Sequence, residues 1–526
     1  MRAPIVPAIC YNEWIKSFTR NAYEGSCTGR LRRRHHMNTG NIKCRLCALK
    51  SRERIYGIHN PLTYDFLHHN LHHLHVLLFH SADQQDFTRG PIVRQLLVFM
   101  LPILLSQFLQ QFYTIADTAL VGQTLGAQAL AAVGTASLIL SVIVNFFIGG
   151  SAGLSILVSH LYGEHSYEKL GTLVQTIFVV VLLFSIVFTL GGLALIPAML
   201  AGLNMPADVI PLAAAYLEVS FLGMLAQLVY NTATAVLRAL GNTTSALRYL
   251  FVAVVLNIAL DVLLLIVFPF GIMGAAIATV VSQYVAAALV VQKFFRLQGA
   301  WQFRVRRPLF HAVYLAPIVR TSIPAGMQAV FMSISSLVIQ GYINSFGYAA
   351  MAGMTVYARV EGFLYYPLFA FGIALTSFIG QNVGARQPER VRAGVRASMR
   401  LTVGGSLVMA AFATLCAPAL IALFTDDAAT VCNSLEAVYW TMPFYWLYGI
   451  NQVYIGAIRG LGDTFYPMLT SLAAYSLFRV AWCYAWDLVG VHSMLVVYNA
   501  YNTSFLVMIA LLYWGWKRRM RQMEGI

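Results

Sequence analysis

Six ionisable residues fall inside long apolar stretches of this chain: Asp117, Glu218 and Asp261 in its first half, and Arg359, Glu361 and Arg479 in its second. A charge held in hydrocarbon is costly enough to make each of them a functional candidate. Two carboxylates that share a low-dielectric pocket cannot both ionise cheaply unless a cation sits between them, so such a pair can exchange a proton for a cation. The structural alternative is that Asp117 caps a helix end, while Asp261 and Asn257 only hydrogen-bond a neighbouring helix, at about 0.6 to 2 kcal/mol per bond.

Counting at about 1.5 Å per residue places Asp261 about 20 Å from the end of its run marked by Arg248. Asn257 lies one turn away on the same face. Tyr216 lies about 12 Å into the preceding run and Thr279 at about the same depth in the following one, while Asp117 lies near the outer end of the first. Asp117, Tyr216, Asn257, Asp261 and Thr279 are therefore expected at one height, as a cation or proton pocket. Glu218, two residues from Tyr216, points to another side of its helix and receives no role. In the second half Arg479 lies about 18 Å into its run, and Arg359 and Glu361 lie nearer the outer end of theirs. Glu361 is expected to neutralise Arg479 or Arg359, because an uncompensated buried charge is costly. Contact with a substrate is the alternative.

The elements that must hold these groups are membrane helices. Of 526 residues, 59% are hydrophobic and 10% charged, against about 25% charged in soluble proteins. Twelve apolar runs, at 95–116, 136–159, 172–196, 210–232, 246–268, 274–294, 318–343, 354–379, 398–424, 437–455, 467–486 and 494–516, are long enough to cross a hydrocarbon core of about 30 Å. The phrases Arg238-Ala239-Leu240-Gly241-Asn242-Thr243 and Arg459-Gly460-Leu461-Gly462-Asp463-Thr464 stand 221 residues apart, and Leu101-Pro102 with Ile323-Pro324 and Tyr162-Gly163 with Val383-Gly384 nearly keep that offset. The expected fold is all-α, with twelve transmembrane helices in two pseudo-twofold-related six-helix lobes, 89–300 and 301–526. Such duplication is the common plan of secondary transporters. Pro102 is a candidate kink, although proline near a helix start is more commonly permissive.

Apart from Arg359 and Arg479, every Lys and Arg after Arg89 flanks one set of alternate helix ends, and the other loops carry only acids such as Asp208, Asp426, Asp427 and Asp487. By the positive-inside rule both ends of the core are cytoplasmic, in a multi-pass inner-membrane protein. The net charge of +15 is then mostly topology and is not a nucleic-acid signal. Residues 1–88 differ in kind, carrying nine of the thirteen histidines and four of the seven cysteines. Cys44 and Cys47 with His59, His68, His69, His72 and His73 have zinc-ligand chemistry but fit no finger spacing, so a disordered extension or an over-long translation start is expected. No secretory signal is legible there. Cys416, Cys432 and Cys483 are scattered and suggest no disulfide framework.

The duplicated twelve-span layout, Ile115-Ala116-Asp117-Thr118, the Arg238-to-Thr243 and Arg459-to-Thr464 pair, Leu256-Asn257 with Asp261, and Arg359-Val360-Glu361 resemble the multidrug and toxic compound extrusion (MATE) transporters, most of all their DinF branch, over about 94–516. The resemblance implies a V-shaped pair of lobes. It also implies extrusion of amphipathic, often cationic compounds by a monomer, driven by H+ or Na+ influx without any other cofactor, and coupling at Asp117, Tyr216, Asn257, Asp261 and Thr279. The seventh span carries no acid, where the NorM-like branch has one, so coupling through the second lobe is not implied.

Cargo is expected between the lobes, with ion entry at Asp117 and Asp261 repacking the first span. Tyr365, Tyr366, Tyr445, Trp446 and Tyr475 have the chemistry of an aromatic cation cavity, although such residues more often pack cores or interfacial belts. The rival is a flippase for lipid-linked saccharides, a task that favours a basic central cavity, whereas the inward acids here are at least as prominent as Arg479. A channel would need a continuous polar pore. An enzyme would need a convergent nucleophile or metal set, and His160, His165, His311 and His492 lie in loops or at their edges.

Overall fold

The computed structural model describes residues 84–201, 209–297, 301–305 and 307–524. The cysteines and histidines weighed as zinc ligands lie outside the described residues, as does Asp208. Among the described residues ten helices are long and apolar enough to cross a membrane: α1 Ile92–Gly126, α2 Gln128–Gly163, α3 Tyr167–Ala201, α4 Ile210–Ala239, α5 Thr244–Val267, α6 Ile272–Phe295, α7 Ala312–Asn344, α8 Tyr348–Gly384, α9 Pro388–Leu415 and, after the two broken spans, α12 Met494–Met523. The expected spans at 437–455 and 467–486 are also helical but built of shorter pieces. In α10 (428–460), helices Ala428–Thr441 and Tyr445–Gly460 are joined by a 3-10 turn, Met442–Phe444. Pro443 sits in that turn, where it removes an N–H from the ladder. In α11 (465–488), a π-helical segment, Leu472–Phe478, separates Phe465–Ser471 from Arg479–Leu488. A second π segment, Val262–Val267, ends α5 directly after Asp261.

Helix α1 runs ten residues past the expected end at 116. Its polar residues end the apolar run without ending the helix, because Thr118 and Thr124 donate back to the carbonyls of Thr114 and Leu120 at 2.8 and 2.7 Å, satisfying themselves inside the helix. The break comes at Gly126, with φ +79°. Asp117 therefore sits about 13 Å before the end of α1 rather than at it. No non-helical backbone occurs at Pro102.

The repeated phrase is a helix–turn–helix device. In the first copy the Gly241 N–H donates to Arg238 O and the Asn242 N–H to Leu237 O. In the second, Gly462 donates to Arg459 O and Asp463 to Ile458 O. These are paired C-terminal capping bonds that require a left-handed residue, supplied by Gly241 (φ +86°) and Gly462 (φ +99°). The next helix is capped by Asn242 Oδ1, which accepts the Ser245 N–H at 3.0 Å, and by Asp463 Oδ1, which accepts the Tyr466 N–H at 2.9 Å.

Each half has its own apolar core, and a third core at the basic end packs Phe87, Leu96, Phe99 and Ile103 against residues of α8, α9, α10 and α12. Helix α2 lies on α7 closely enough that a Cβ on Gly153 would overlap the Thr321 carbonyl, and a Cβ on Gly163 would overlap the carbonyl of Gln381 in α8. Two bonds close the basic end: His160 Nε2 meets Gly460 O at 2.7 Å, and Gln381 Nε2 donates to Ala239 O at 2.8 Å. The segment ahead of α1 is stitched across the same end. Gln84 exchanges two bonds with the backbone of Trp301 at 2.7 and 3.1 Å. Phe87 is fully buried and donates its N–H to Gln381 Oε1 at 2.9 Å, while its carbonyl accepts from Arg390 Nε at 2.8 Å.

Candidate functional site

Four helices of the first half converge on Asp117 and Asp261. Helix α1 supplies Tyr113 and Asp117, four residues apart and so on one face; α4 supplies Tyr216, α5 supplies Asn257 and Asp261, and α6 supplies Thr279. Asp261 is fully buried, Asn257 is 2% exposed and Asp117 8%. Tyr113 Oη meets Thr279 Oγ1 at 3.1 Å. With its amide oriented to satisfy its neighbours, Asn257 donates Nδ2 to Asp261 Oδ2 at 3.1 Å and accepts the Thr279 N–H on Oδ1 at 3.2 Å. The two carboxyls lie within electrostatic range of each other and of the Tyr113 and Tyr216 hydroxyls.

Asp117 Oδ1 and Asp261 Oδ1 are buried and have no hydrogen-bond partner. Two buried acceptors left without donors are a costly arrangement, and a proton or a monovalent cation is the chemical complement of that oxygen set. Among the described residues no group of three or more His, Cys, Asp or Glu could hold a metal ion. The five residues expected from spacing are thus brought together. Tyr113 was not among them, although its one-turn offset from Asp117 was a usable signal. Glu218 is exposed and takes no part.

The second half is organised around a cavity of about 430 Å³ that α2 and α4 also border. The expected Glu361–Arg479 ion pair is not formed: among the described residues the ion pairs are Lys169–Glu164, His492–Asp487 and Arg519–Asp463. Glu361 Oε1 instead accepts from Tyr445 Oη at 2.9 Å. Arg479, 8% exposed, donates to Ser504 Oγ from Nη2 at 2.9 Å and from Nε at 3.2 Å. Its guanidinium lies 4.3 Å from the Tyr501 ring centre, 5.1 Å from Tyr475 and 5.9 Å from Phe505, so three aromatic faces stabilise its charge, alongside the Glu361 carboxylate, which lies within electrostatic range without an ion-pair contact. Arg359 is exposed and away from this cavity. Of the aromatic candidates, Tyr365, Tyr445 and Tyr475 line it; Tyr366 and Trp446 do not.

Arg238 and Arg459, which the sequence reading counted as loop charges, both border the cavity. The sequence reading weighed the inward acids against Arg479 alone; among the described residues the cavity lining carries three arginines and one acid, Glu361. The overlooked signal was the repeat itself, which places an arginine in the last turn of the fourth helix in each half.

Two copies of a six-helix bundle, with buried ionisable groups in each, are the plan of a polytopic membrane transporter. The MatE family profile matches residues 102–263 and 324–485, the two copies again, and the chain belongs to that family of membrane transporters. It is 30% identical over 396 residues to the probable multidrug resistance protein YpnP of Bacillus subtilis, covering 75% of this chain and 88% of that one. To the probable multidrug resistance protein NorM of Aromatoleum aromaticum it is 29% identical over 405 residues, covering 74% and 84%. A crystal structure of MATE in complex with MaL6 superposes with a TM-score of 0.78 at 21% identity, covering 84% of this chain and 99% of that one; at that identity the likeness speaks to the fold alone.

Proposed function

We propose that this chain is a secondary active multidrug efflux antiporter of the inner membrane. In this reading it is a DinF-like monomer with both core ends cytoplasmic and lobes 89–300 and 301–526, exporting small amphipathic compounds against inward H+ or Na+. The multidrug names of its relatives support the cargo reading. The observation that carries the coupling reading is the pair of buried, unpartnered oxygens on Asp117 and Asp261, set among Tyr113, Tyr216, Asn257 and Thr279. Entry of a proton or sodium ion there relieves two orphaned acceptors. It shifts the lobes only to the extent that the ion prefers one arrangement over the other.

Helix α1 carries both Tyr113 and Asp117, and its first turns pack into the core at the basic end. A change in how Asp117 is held is therefore transmitted to the face where the lobes meet. The test is efflux from proteoliposomes under imposed proton or sodium gradients. Asp261→Asn, which mimics the ion-filled carboxyl, is expected to lose gradient-driven efflux under both; undiminished efflux would remove Asp261 from the mechanism. The flippase reading gains one observation, the arginine-bordered cavity. It predicts transbilayer movement of a lipid-linked pyrophosphate by the same liposomes, with no drug efflux.

A further inference from the structure

We infer that the cavity between the lobes is a site for planar aromatic anions, solutes carrying a carboxylate or phosphate on or beside a ring system. Three guanidinium groups border it, Arg238, Arg459 and Arg479, against the single carboxylate of Glu361, which is already engaged by Tyr445. None of the three makes an ion pair with a described residue. Arg459 spends Nη2 on Gln328 Oε1 at 2.6 Å, and its buried Nε has no partner. Arg479 spends its bonds on a serine hydroxyl. Partly buried guanidinium groups with no acid in ion-pair contact are complemented by an oxyanion, which their forked donors bind two bonds at a time.

The wall supplies the other half of the recognition. Tyr365 is stacked with Phe369 (centroids 5.8 Å apart, 10° between planes) and with Tyr448 (5.5 Å, 21°), and all three line the cavity, so one side of it is an aromatic surface suited to a ring-bearing ligand. The volume, about 430 Å³, lies within the range of about 300–1,000 Å³ usual for small-molecule pockets. Arg238 and Arg459 come one residue before Ala239 and Gly460, the acceptors of the two bonds that close the basic end. Opening that end therefore presents this arginine pair to the incoming solute first, with Arg479 in its aromatic cage as the other anionic contact. The inference rests on the transport reading only in calling the bound solute cargo, and it departs from the cationic cargo that the family resemblance implies.

The experiment is equilibrium binding to the purified full-length protein in detergent, with no gradient, read by fluorescence anisotropy with fluorescein as the aromatic anion and ethidium as the aromatic cation. Fluorescein is expected to bind at least ten-fold more tightly than ethidium, and Arg479→Gln to weaken fluorescein at least ten-fold. Arg479→Lys, keeping charge but not the fork, should fall between. Arg238→Gln, whose side chain is less buried than that of Arg479, should weaken fluorescein several-fold, and it decides the matter alone if Arg479→Gln does not give a monodisperse protein. Ethidium binding as tightly as fluorescein, or monodisperse variants with unchanged fluorescein affinity, would overturn the inference. Fluorescein bound but moved by neither a proton nor a sodium gradient would sink the antiporter reading and leave the site standing.

Discussion

His160 and Gln381 stand 221 residues apart, at the same place in the two copies of the fold, and make the same bond across the molecule. Each reaches from the end of the second helix of its own half to the last-turn carbonyl of the fourth helix of the other: His160 to Gly460, Gln381 to Ala239. The acceptors are themselves 221 residues apart. The internal twofold is thus written in hydrogen bonds, as a self-complementary interface would be, and it closes the basic end.

Removing one of these bonds should loosen that end. For Gln381→Ala, which also strips the Phe87 N–H of its acceptor, a loss of about 1–3 kcal/mol is expected, read as a lower unfolding midpoint in detergent. A cysteine introduced at Ser155, which lines the cavity, should react faster with a membrane-impermeant reagent applied from the basic side in the Gln381→Ala background. Equal reaction rates in the two backgrounds would show that the bond does not hold the lobes together.

Steric contact at the same interface gives a second expectation. Gly153 packs against the Thr321 backbone with no room for a Cβ, so Gly153→Val must push α2 off α7. Overpacking of this kind costs about 1–3 kcal/mol. The Ser155 cysteine should become more reactive from the basic side, while Gly191→Val, where an added Cβ meets nothing within 4 Å, should leave both stability and reactivity unchanged.

In the first-half pocket, Tyr113→Phe deletes one hydroxyl bonded to Thr279 and leaves both carboxylates in place. A bond of this kind is worth about 0.6 kcal/mol on average in a membrane protein. The variant should therefore keep gradient-driven efflux at a reduced rate, about three-fold lower, whereas Asp117→Asn abolishes it. Tyr113→Phe as inactive as Asp117→Asn would mean that the tyrosine itself carries the proton.

Outside the membrane, Asp427 caps α10, its Oδ2 accepting from the Thr430 hydroxyl at 2.6 Å and the Thr430 N–H at 2.9 Å. Those two bonds hold its carboxyl below the usual carboxylate range. A lowered folded-state value means that the cap's contribution is present above the unfolded pKa of about 3.9 and is lost as pH falls through the folded one. The difference in melting temperature between wild type and Asp427→Ala should accordingly be full at pH 6 and shrink toward pH 3.

Much of this was legible in the residues, and the exceptions have physical causes. Asn257 and Asp261 share a helix face by spacing alone, and depth counting carried Tyr216 and Thr279 to their height, because helical rise is nearly constant. Asp117 was read as the end of a helix since apolarity stops there, yet back-bonding threonines carry α1 on to Gly126. Counting charges suggested that Glu361 neutralises Arg479 or Arg359; it lies within electrostatic range of Arg479 but not in ion-pair contact, and the rings of Tyr475, Tyr501 and Phe505 add a compensation that a charge count does not weigh. Arg238 and Arg459 were assigned to topology because they flank spans, and only packing shows that a helix end also borders a cavity. The bonds of His160 and Gln381 join a side chain to a distant backbone carbonyl, a pairing that leaves no mark in residue type.

The π segments put slack into both halves. One begins immediately after Asp261 and the other ends immediately before Arg479, so each half places its most buried charge at the edge of a turn that holds one residue too many for an α-helix. Handing that surplus residue along the helix swings every side chain it passes by about 100° without breaking the span. Asp261 and Arg479 are thus mounted on built-in swivels, able to re-aim while the starts of α5 and α11 stay anchored in their capped turns.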